Sequence, residues 1–312
     1  MPSQRPLPIV WTEEQLEKDR KTSRERFVNS ILSRGTGEYV AIYNRAVGRM
    51  RSVFEKTNDL KDIKENINAL TKDEKALFRY VSVPPLSDDD AKTVASYFSD
   101  TQGMDANASI ALSVMSNYDP LRFEWLGSHR APSGKEREEA IKWTCGLYAV
   151  QRVITKNRNR AGKAQEAAVR AAVEECGYVL DERAGFKLDL LDELPRGRFR
   201  KETEVASIDS RGTQTNAKAD VPIRLKDGRL MLIECKVSNS EVNSIKRIER
   251  ETCGKASGWR NSFGQGIILG LVFDGVASQA TLSKAQSDHG EYIFWGHRLD
   301  DLKDFLMRCD RP

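Results

Sequence analysis

The sequence is short of the residues that build zinc sites and cystine frameworks. Among 312 residues there are three histidines and five cysteines. Cys145, Cys176, Cys235, Cys253 and Cys309 are odd in number and scattered, without the paired spacing of zinc ligands. This excludes a disulfide-stapled secreted scaffold and points to a reducing compartment, with Cys235 a small core residue in an apolar strand. No stretch reaches the ~18 apolar residues of a membrane helix, and Met1 to Val10 lacks a signal-peptide core. The expectation is a cytoplasmic protein with no membrane partner. Internal repeats and low-complexity tracts are absent too. The net charge of +4 is too small to argue for nucleic acid by itself. Between Arg196 and Arg260, however, 15 Lys/Arg stand against 9 Asp/Glu, an excess larger than that of the whole chain. That distribution suits either a polyanion site or a solvated mixed-charge surface.

What is present begins as a helical half. Trp11 precedes Thr12-Glu13-Glu14-Gln15, a capping box that starts a helix running to about Leu32. Tyr39, Ile42, Tyr43, Ala46, Val47, Met50 and Phe54 repeat at three and four, and Leu60, Ile63, Ile67 and Leu70 continue the pattern. Thr71 and Ser87 open further helices, and Ile110 to Met115 is another. Phe123 and Trp125 read as packing anchors rather than a base-stacking platform. A long helix starts at Ser133 and runs into the basic joint Lys156 to Lys163, where the domain boundary is placed, either between two helices or inside a continuous helical region. Residues 1–160 are then a helical N-terminal region serving as scaffold, dimerisation surface or DNA embrace, and 161–312 the catalytic domain. The joint is either solvated surface or a phosphate contact.

Beyond the joint, Gln165 to Cys176 is a compact helix ended by Gly177. Thr203 to Ile208 reads as a strand, followed by a polar loop from Asp209 to Ala217. Gly266 to Phe273 is a buried strand, Leu282 to Gln286 a helix, Tyr292 to Trp295 a strand, and Leu299 to Leu306 a closing helix. Helices alternating with strands make an α/β fold, one mixed sheet with helices on its faces.

The second half is organised around Lys218 to Asn243. Val221, Ile223 and Leu225 alternate with Pro222 and Arg224, and an apolar run from Leu230 leads into Glu234-Cys235-Lys236-Val237. A three-residue turn, Lys226-Asp227-Gly228, puts Leu225 opposite Arg229 and Asp220 opposite Glu234. Asp220, Glu234 and Lys236 then share one face, and Val221, Ile223, Leu225, Ile233, Cys235 and Val237 the other. A two-residue Asp-Gly turn would shift the register and send Asp220 to the wrong face. Ser238-Asn239-Ser240-Glu241 next caps a helix whose buried face is marked by Val242, Ile245 and Ile248.

Two carboxylates on neighbouring strands beside a lysine form an oxygen-rich cation site suited to Mg²⁺, with the Cys235 carbonyl as a further ligand. Lys236 can orient a metal-bound water or steady transition-state charge. Glu166, from the preceding helix, is the candidate for another carboxylate. The helix opening at Asn239 would turn its N-terminus toward an anion. Together these parts fit phosphodiester hydrolysis by activated water. Asp followed at a distance by Glu-x-Lys is also what an ordinary salt-bridged hairpin would show. The apolar strand around it, and the cost of burying two acids side by side without a cation, favour the site.

Asp220 with Glu234-Cys235-Lys236 resembles the PD-(D/E)xK nuclease signature, with Ala219 where a proline is usual and Pro222 two residues after the aspartate. Lys218-Ala219-Asp220, Asp227-Gly228-Arg229, Ile233 to Ser240, Asn243-Ser244 and Lys246-Arg247 resemble the XamI-type type II restriction endonucleases. So do Trp259-Arg260, Phe263-Gly264 and Phe294 to His297 downstream, and Trp11 to Glu14 and Gly162 to Glu166 upstream. The resemblance implies a PD-(D/E)xK fold and Mg²⁺-dependent cleavage of both strands of double-stranded DNA at a short palindrome, of GTCGAC type. It also implies a homodimer and a cognate methyltransferase as genetic partner. It makes Asp220 and Glu234 metal ligands and Lys236 the catalytic lysine, with a role for Glu166.

Candidates for DNA contact come from the residues near this centre. Asn239, Ser240 and Asn243 carry suitable groups, although Asn239 and Ser240 also suit a helix cap. Lys246 and Arg247 would meet phosphate or solvent, and Gln214 and Asn216 lie in the polar loop before Asp220, where they could read bases. Arg260 is a phosphate clamp or a surface residue, and the histidines lack metal-ligand spacing. The competing readings are a junction or repair nuclease of the same core and a DNA-binding regulator with structural carboxylates.

Overall fold

A computed structural model describes residues 5–183 and 187–309. The chain forms two compact units, Gly35–Arg158 and Met1–Arg34 together with Asn159–Pro312. Helix α1 (Glu13–Leu32) opens with the expected reciprocal cap: Thr12 Oγ1 accepts from Gln15 N, and the Gln15 side chain accepts from Thr12 N. It belongs to the second half of the chain, which the sequence does not suggest. The reason is apolar: Trp11 and Leu16 are buried with Leu271, Phe273, Leu282, Ile293 and Trp295. Trp11 Nε1 also donates to the Ile293 carbonyl at 2.7 Å.

The unit Gly35–Arg158 is helical, as its periodicity predicts. Its elements are α2 (Gly37–Lys56), α3 (Ile63–Asn66), α4 (Lys72–Phe78), α5 (Asp88–Gln102), α6 (Ala106–Ser116), α7 (Glu124–Gly127) and the first part of α8 (Gly134–Glu175). Met50, Phe54, Leu77, Phe78, Phe123, Trp125 and Ile141 close its core. Phe123 and Trp125 are fully buried there, which settles them as packing residues. Helix α8 runs unbroken through the basic joint as one helix of 42 residues, the continuous alternative of the two. Lys156 to Lys163 contains no Pro, and its single Gly162 is not enough to end a helix. The stop comes at Gly177, whose φ of +74° reverses the chain.

The other unit is built on a six-stranded mixed sheet. Its strands are β1 (Val179–Leu180), β2 (Arg198–Phe199), β5 (Val221–Arg224), β6 (Leu230–Ser238), β7 (Ile268–Gly275) and β8 (Tyr292–Trp295), side by side in that order. Strands β6, β7 and β8 run parallel, and β5 is antiparallel to β6. Both faces are covered, as parallel strands require. Val169 and Val173 of α8 and Leu302, Phe305 and Leu306 of α12 (Asp300–Arg308) pack on Val221, Ile223, Ile233, Cys235 and Val272. On the other face α1 and α11 (Gln279–Ser287) cover β7 and β8. Ala256 and Trp259 of α10 (Cys253–Phe263) cover Leu230, Leu232 and Leu269.

Two segments depart from the expectation. The polar stretch before Asp220 is not a loop: β3 (Thr203–Ile208) pairs antiparallel with β4 (Gln214–Ala219), so Gln214 and Asn216 are strand residues. The Asp209 carboxylate holds the turn by accepting from the N–H groups of Arg211 and Thr213. Exposed on most of its length, β4 needs no apolar alternation, which is why pattern reading misses it. The helix after Ser240 is also less regular than expected. It breaks into α9 (Glu241–Ile245), a wide π turn (Lys246–Thr252) and α10. Ile248 is buried, but Val242 and Ile245 face solvent, contrary to the buried stripe read from their spacing. Among the described residues no helix is long and apolar enough to cross a membrane.

Candidate active site

The hairpin of β5 and β6 has the register that the three-residue turn requires. Val221 faces Ile233, Pro222 faces Leu232 and Ile223 faces Met231. Leu225 N donates to the Arg229 carbonyl at 2.8 Å, and Gly228 takes φ +92°, a conformation that costs glycine little. One residue before the ladder the chain deviates. Asp220 N donates to the carbonyl of Ile233, the residue that Val221 also faces, so two residues stand opposite one in a bulge. The Asp220 carbonyl accepts from Glu202 N at 2.9 Å, which fixes the kink from the other side.

The bulge re-aims the aspartate. Its Oδ2 accepts from the backbone N–H of Cys235 at 2.7 Å, taking the place that a strand carbonyl would fill. The carboxyl therefore lies at the level of the sheet, where β5 leaves β6, rather than squarely on the Glu234 face. Lys236 still joins the two acids: its Nζ is 2.6 Å from Glu234 Oε2 and 3.4 Å from Asp220 Oδ2. Glu234 is 1% exposed. Burial raises its carboxyl pKa, reinforced by the charge of Asp220, although Lys236 and Lys255 oppose the shift. Burial likewise disfavours the Lys236 ammonium, but the two carboxylates prevail and its pKa is raised. The result is an acid and an amine whose charges depend on one another.

A second lysine completes the group, and sequence reading misses it. Lys255 of α10 places Nζ 3.0 and 2.9 Å from the two Glu234 carboxylate oxygens. It lies nineteen positions after Lys236 with an irregular helix between them, so no spacing rule connects the two. Cys235 points into the apolar side, where burial raises its thiol pKa well above the usual value.

Glu166 is half-buried on α8 and pairs with Arg170 at 3.6 Å. Burial and the charge of Asp220 raise its pKa, so it lies within the field of the centre. No group of three or more His, Cys, Asp or Glu side chains converges on a cation position among the described residues. Glu166 thus stands beside the pair Asp220–Glu234 and does not complete a triad with it. An oxygen-rich pair, one member buried and balanced by ammonium groups, is nevertheless the donor set that a hard divalent cation takes.

The residues expected at DNA fall into two sets. Lys246, Asn239, Asn243, Gln214 and Asn216 are exposed. Ser240 caps α9, accepting from Asn243 N, while Asn239 Oδ1 accepts from Asn243 Nδ2. Arg247 and Arg260 are committed to backbone. Arg247 donates to the Val237 carbonyl at 2.6 Å, and Arg260 to the carbonyls of His289 and Gly290. Arg260 Nη2 thereby ties α10 to the loop before β8. His297 contacts buried Asp19 at 3.1 Å, in keeping with a structural histidine.

Residues 58–295 match the family described as XamI restriction endonuclease. The chain belongs to that family. It is 32% identical over 272 residues to the type II restriction enzyme XamI of Xanthomonas campestris pv. amaranthicola, covering 82% of this chain and 93% of that enzyme. As a XamI-family member it is a type II restriction endonuclease, a site-specific deoxyribonuclease. Among solved structures, the protein VC1899 from Vibrio cholerae aligns over 86% of this chain and 57% of its own. Its TM-score of 0.28 at 10% identity is too low to carry an argument.

Proposed function

We propose that this XamI-family enzyme hydrolyses phosphodiester bonds of double-stranded DNA at a short palindrome, using Mg²⁺ held by Asp220, Glu234 and the Cys235 carbonyl. The observation that carries the reading is the shared ammonium: one Lys236 Nζ contacts the carboxylates of Asp220, in the bulge just before β5, and of buried Glu234 on β6. Such a pair is costly to maintain as mere structure, because two acids brought together repel and lose solvation. A bound ion would supply Lewis acidity and an activated water. The chain's own groups then have distinct tasks. The Cys235 N–H and the bulge hold Asp220 at the rim. Burial keeps bulk water from Glu234, and Lys236 stays charged to meet the negative charge that grows on the phosphoryl oxygens. Water attack forms a P–O bond and breaks the bond to the 3′ oxygen, which takes up a proton. The ends are a 5′-phosphate and a 3′-hydroxyl.

Cleavage of both strands of a palindrome calls for two copies related by a two-fold axis, hence a homodimer. The target is proposed to be GTCGAC-like, with a cytoplasmic location and a methyltransferase guarding the same sequence in the host. Exposed Asn239, Asn243, Lys246, Gln214 and Asn216 are the proposed DNA contacts. The test is digestion of phage DNA with Mg²⁺, followed by sequencing of the ends. Discrete fragments with one common terminal sequence support the proposal. Smears, branch-specific cuts, or binding without cleavage would sink it.

A further inference from the structure

Glu234 has more positive charge around it than a catalytic lysine explains. Lys236 takes one carboxylate oxygen at 2.6 Å, while Lys255 reaches both at 2.9 and 3.0 Å. Lys255 is itself held in place. Its Nζ donates to the Lys218 carbonyl at 2.7 Å and lies 5.6 Å from the centre of the Trp259 ring, one turn along α10. Trp259 is buried, so the platform under the lysine is fixed. The Lys255 side chain nonetheless keeps 27% of its surface exposed, against 1% for Glu234 and 12% for Lys236. It is the more exposed of the two ammonium groups on Glu234.

We propose that Lys255 is a placeholder cation. It neutralises Glu234 while no divalent ion is bound, and it is displaced toward DNA phosphate when one enters. The inference rests on the assignment of Glu234 as a metal ligand. Lys255 and a cation compete for the same carboxylate: with Lys236 on Oε2 and Lys255 on both oxygens, three of its roughly four lone-pair positions are taken, and like charges gathered on one carboxylate repel. Lys236 has Asp220 as a second partner and can remain. Among the described residues Lys255 meets the Lys218 carbonyl and the Trp259 face besides Glu234, neither of which carries a full negative charge. Its least costly exit is toward a new anion. A phosphate beside the ion supplies one, so metal entry and substrate binding become coupled through one side chain. Lys255 is on this account a positioning residue, acting through Glu234 and through the backbone phosphate.

The experiment measures Mn²⁺ binding to the full-length protein without DNA, counting free ion by electron paramagnetic resonance, for wild type, Lys255→Met, Lys255→Arg and Glu234→Ala. Loss of a competing charge at contact distance, discounted for partial exposure, predicts about tenfold tighter Mn²⁺ binding in Lys255→Met. Lys255→Arg should stay near wild type. In Ca²⁺, Lys255→Met should bind DNA more weakly, with a salt slope smaller by about 0.9, as expected for one lost phosphate contact. Lys255→Met binding Mn²⁺ no more tightly than wild type, while Glu234→Ala binds it less, would overturn the placeholder and leave the metal site standing. If Glu234→Ala binds Mn²⁺ as wild type does, the metal-site assignment falls and the placeholder with it. Thermal melting checks that each variant is folded, and Lys255→Gln replaces the methionine variant should that one fail to fold.

Discussion

At the scale of single residues, the centre depends on charges that need one another. Removing Lys236 leaves Asp220 and Glu234 close together with Lys255 alone to balance Glu234, and removes the group that meets the phosphoryl charge. Lys236→Ala is expected to lower cleavage by at least ~100-fold with little loss of DNA binding in Ca²⁺; a steady-state digestion series checks this. Asp220→Asn keeps the acceptor for the Cys235 N–H but loses the charge, so it should fold normally and not cut. A second buried acid makes a separate pH statement. Glu291 is 2% exposed, and burial pushes its pKa up to about 8 from 4.5. A raised folded-state pKa means that the native protein holds the proton that the unfolded chain has released. Stability then falls as pH rises between about 4.5 and about 8, by up to a few kcal/mol. Glu291→Gln should flatten the dependence of melting temperature on pH in that interval. An unchanged slope would assign the dependence to other groups.

At the scale of elements, the hairpin was legible because three local rules agree. Apolar alternation, a glycine at the left-handed turn position and a continuous apolar run all give one register, and the ladder from Val221 to Arg224 has it. The bulge at Asp220 was not legible, since it arises where β4 leaves for another partner, and β4 itself carries no hydrophobic signal. Lys255 was hidden for a related reason: the π turn shifts α10 out of the helical phase started at Ser240, and periodicity counted from there fails. The far ends of β6 and β7 depend on one contact of a similar kind. Gly275 has φ +105°, and a Cβ there would lie 1.9 Å from the Ser238 carbonyl oxygen, a backbone atom that cannot swing away. Its N–H also donates to Ser23 Oγ of α1 at 2.8 Å. Gly275→Ala should therefore cost about 2–4 kcal/mol by strain and overpacking. It should also loosen the strand that carries Lys236. Chemical denaturation measures the first effect and cleavage rate the second; a variant as stable as wild type would contradict the close approach.

At the scale of the whole molecule, sequence reading found the two kinds of architecture and divided them too simply. The contact boundary between the two units falls at Arg158 and Asn159, inside one helix. What linear reading cannot see is a return: α1, first in sequence, completes the face of a sheet formed by the second half of the chain. Its amphipathic pattern is weak, with only Leu16, Asp19 and Ser23 buried along twenty residues, so nothing marked it as core. The attachment is nonetheless specific. The Trp11 backbone exchanges two hydrogen bonds with the Gln286 side chain, its indole donates to Ile293, and Asp19 meets His297 and Arg298. A chain beginning at Gly35 would uncover Leu271, Phe273, Ile293 and Trp295 on one side of the central sheet, and would leave His297 without its aspartate. Exposing that much apolar surface costs several kcal/mol, comparable to the whole stability of a domain. The expected outcome is a protein that aggregates or melts well below the full-length enzyme, even though every residue of Asp220, Glu234, Lys236 and Lys255 is retained. Differential scanning calorimetry of the shortened and full chains decides it: equal transitions would mean that the first helix is an accessory, and that the sheet closes its face by other means.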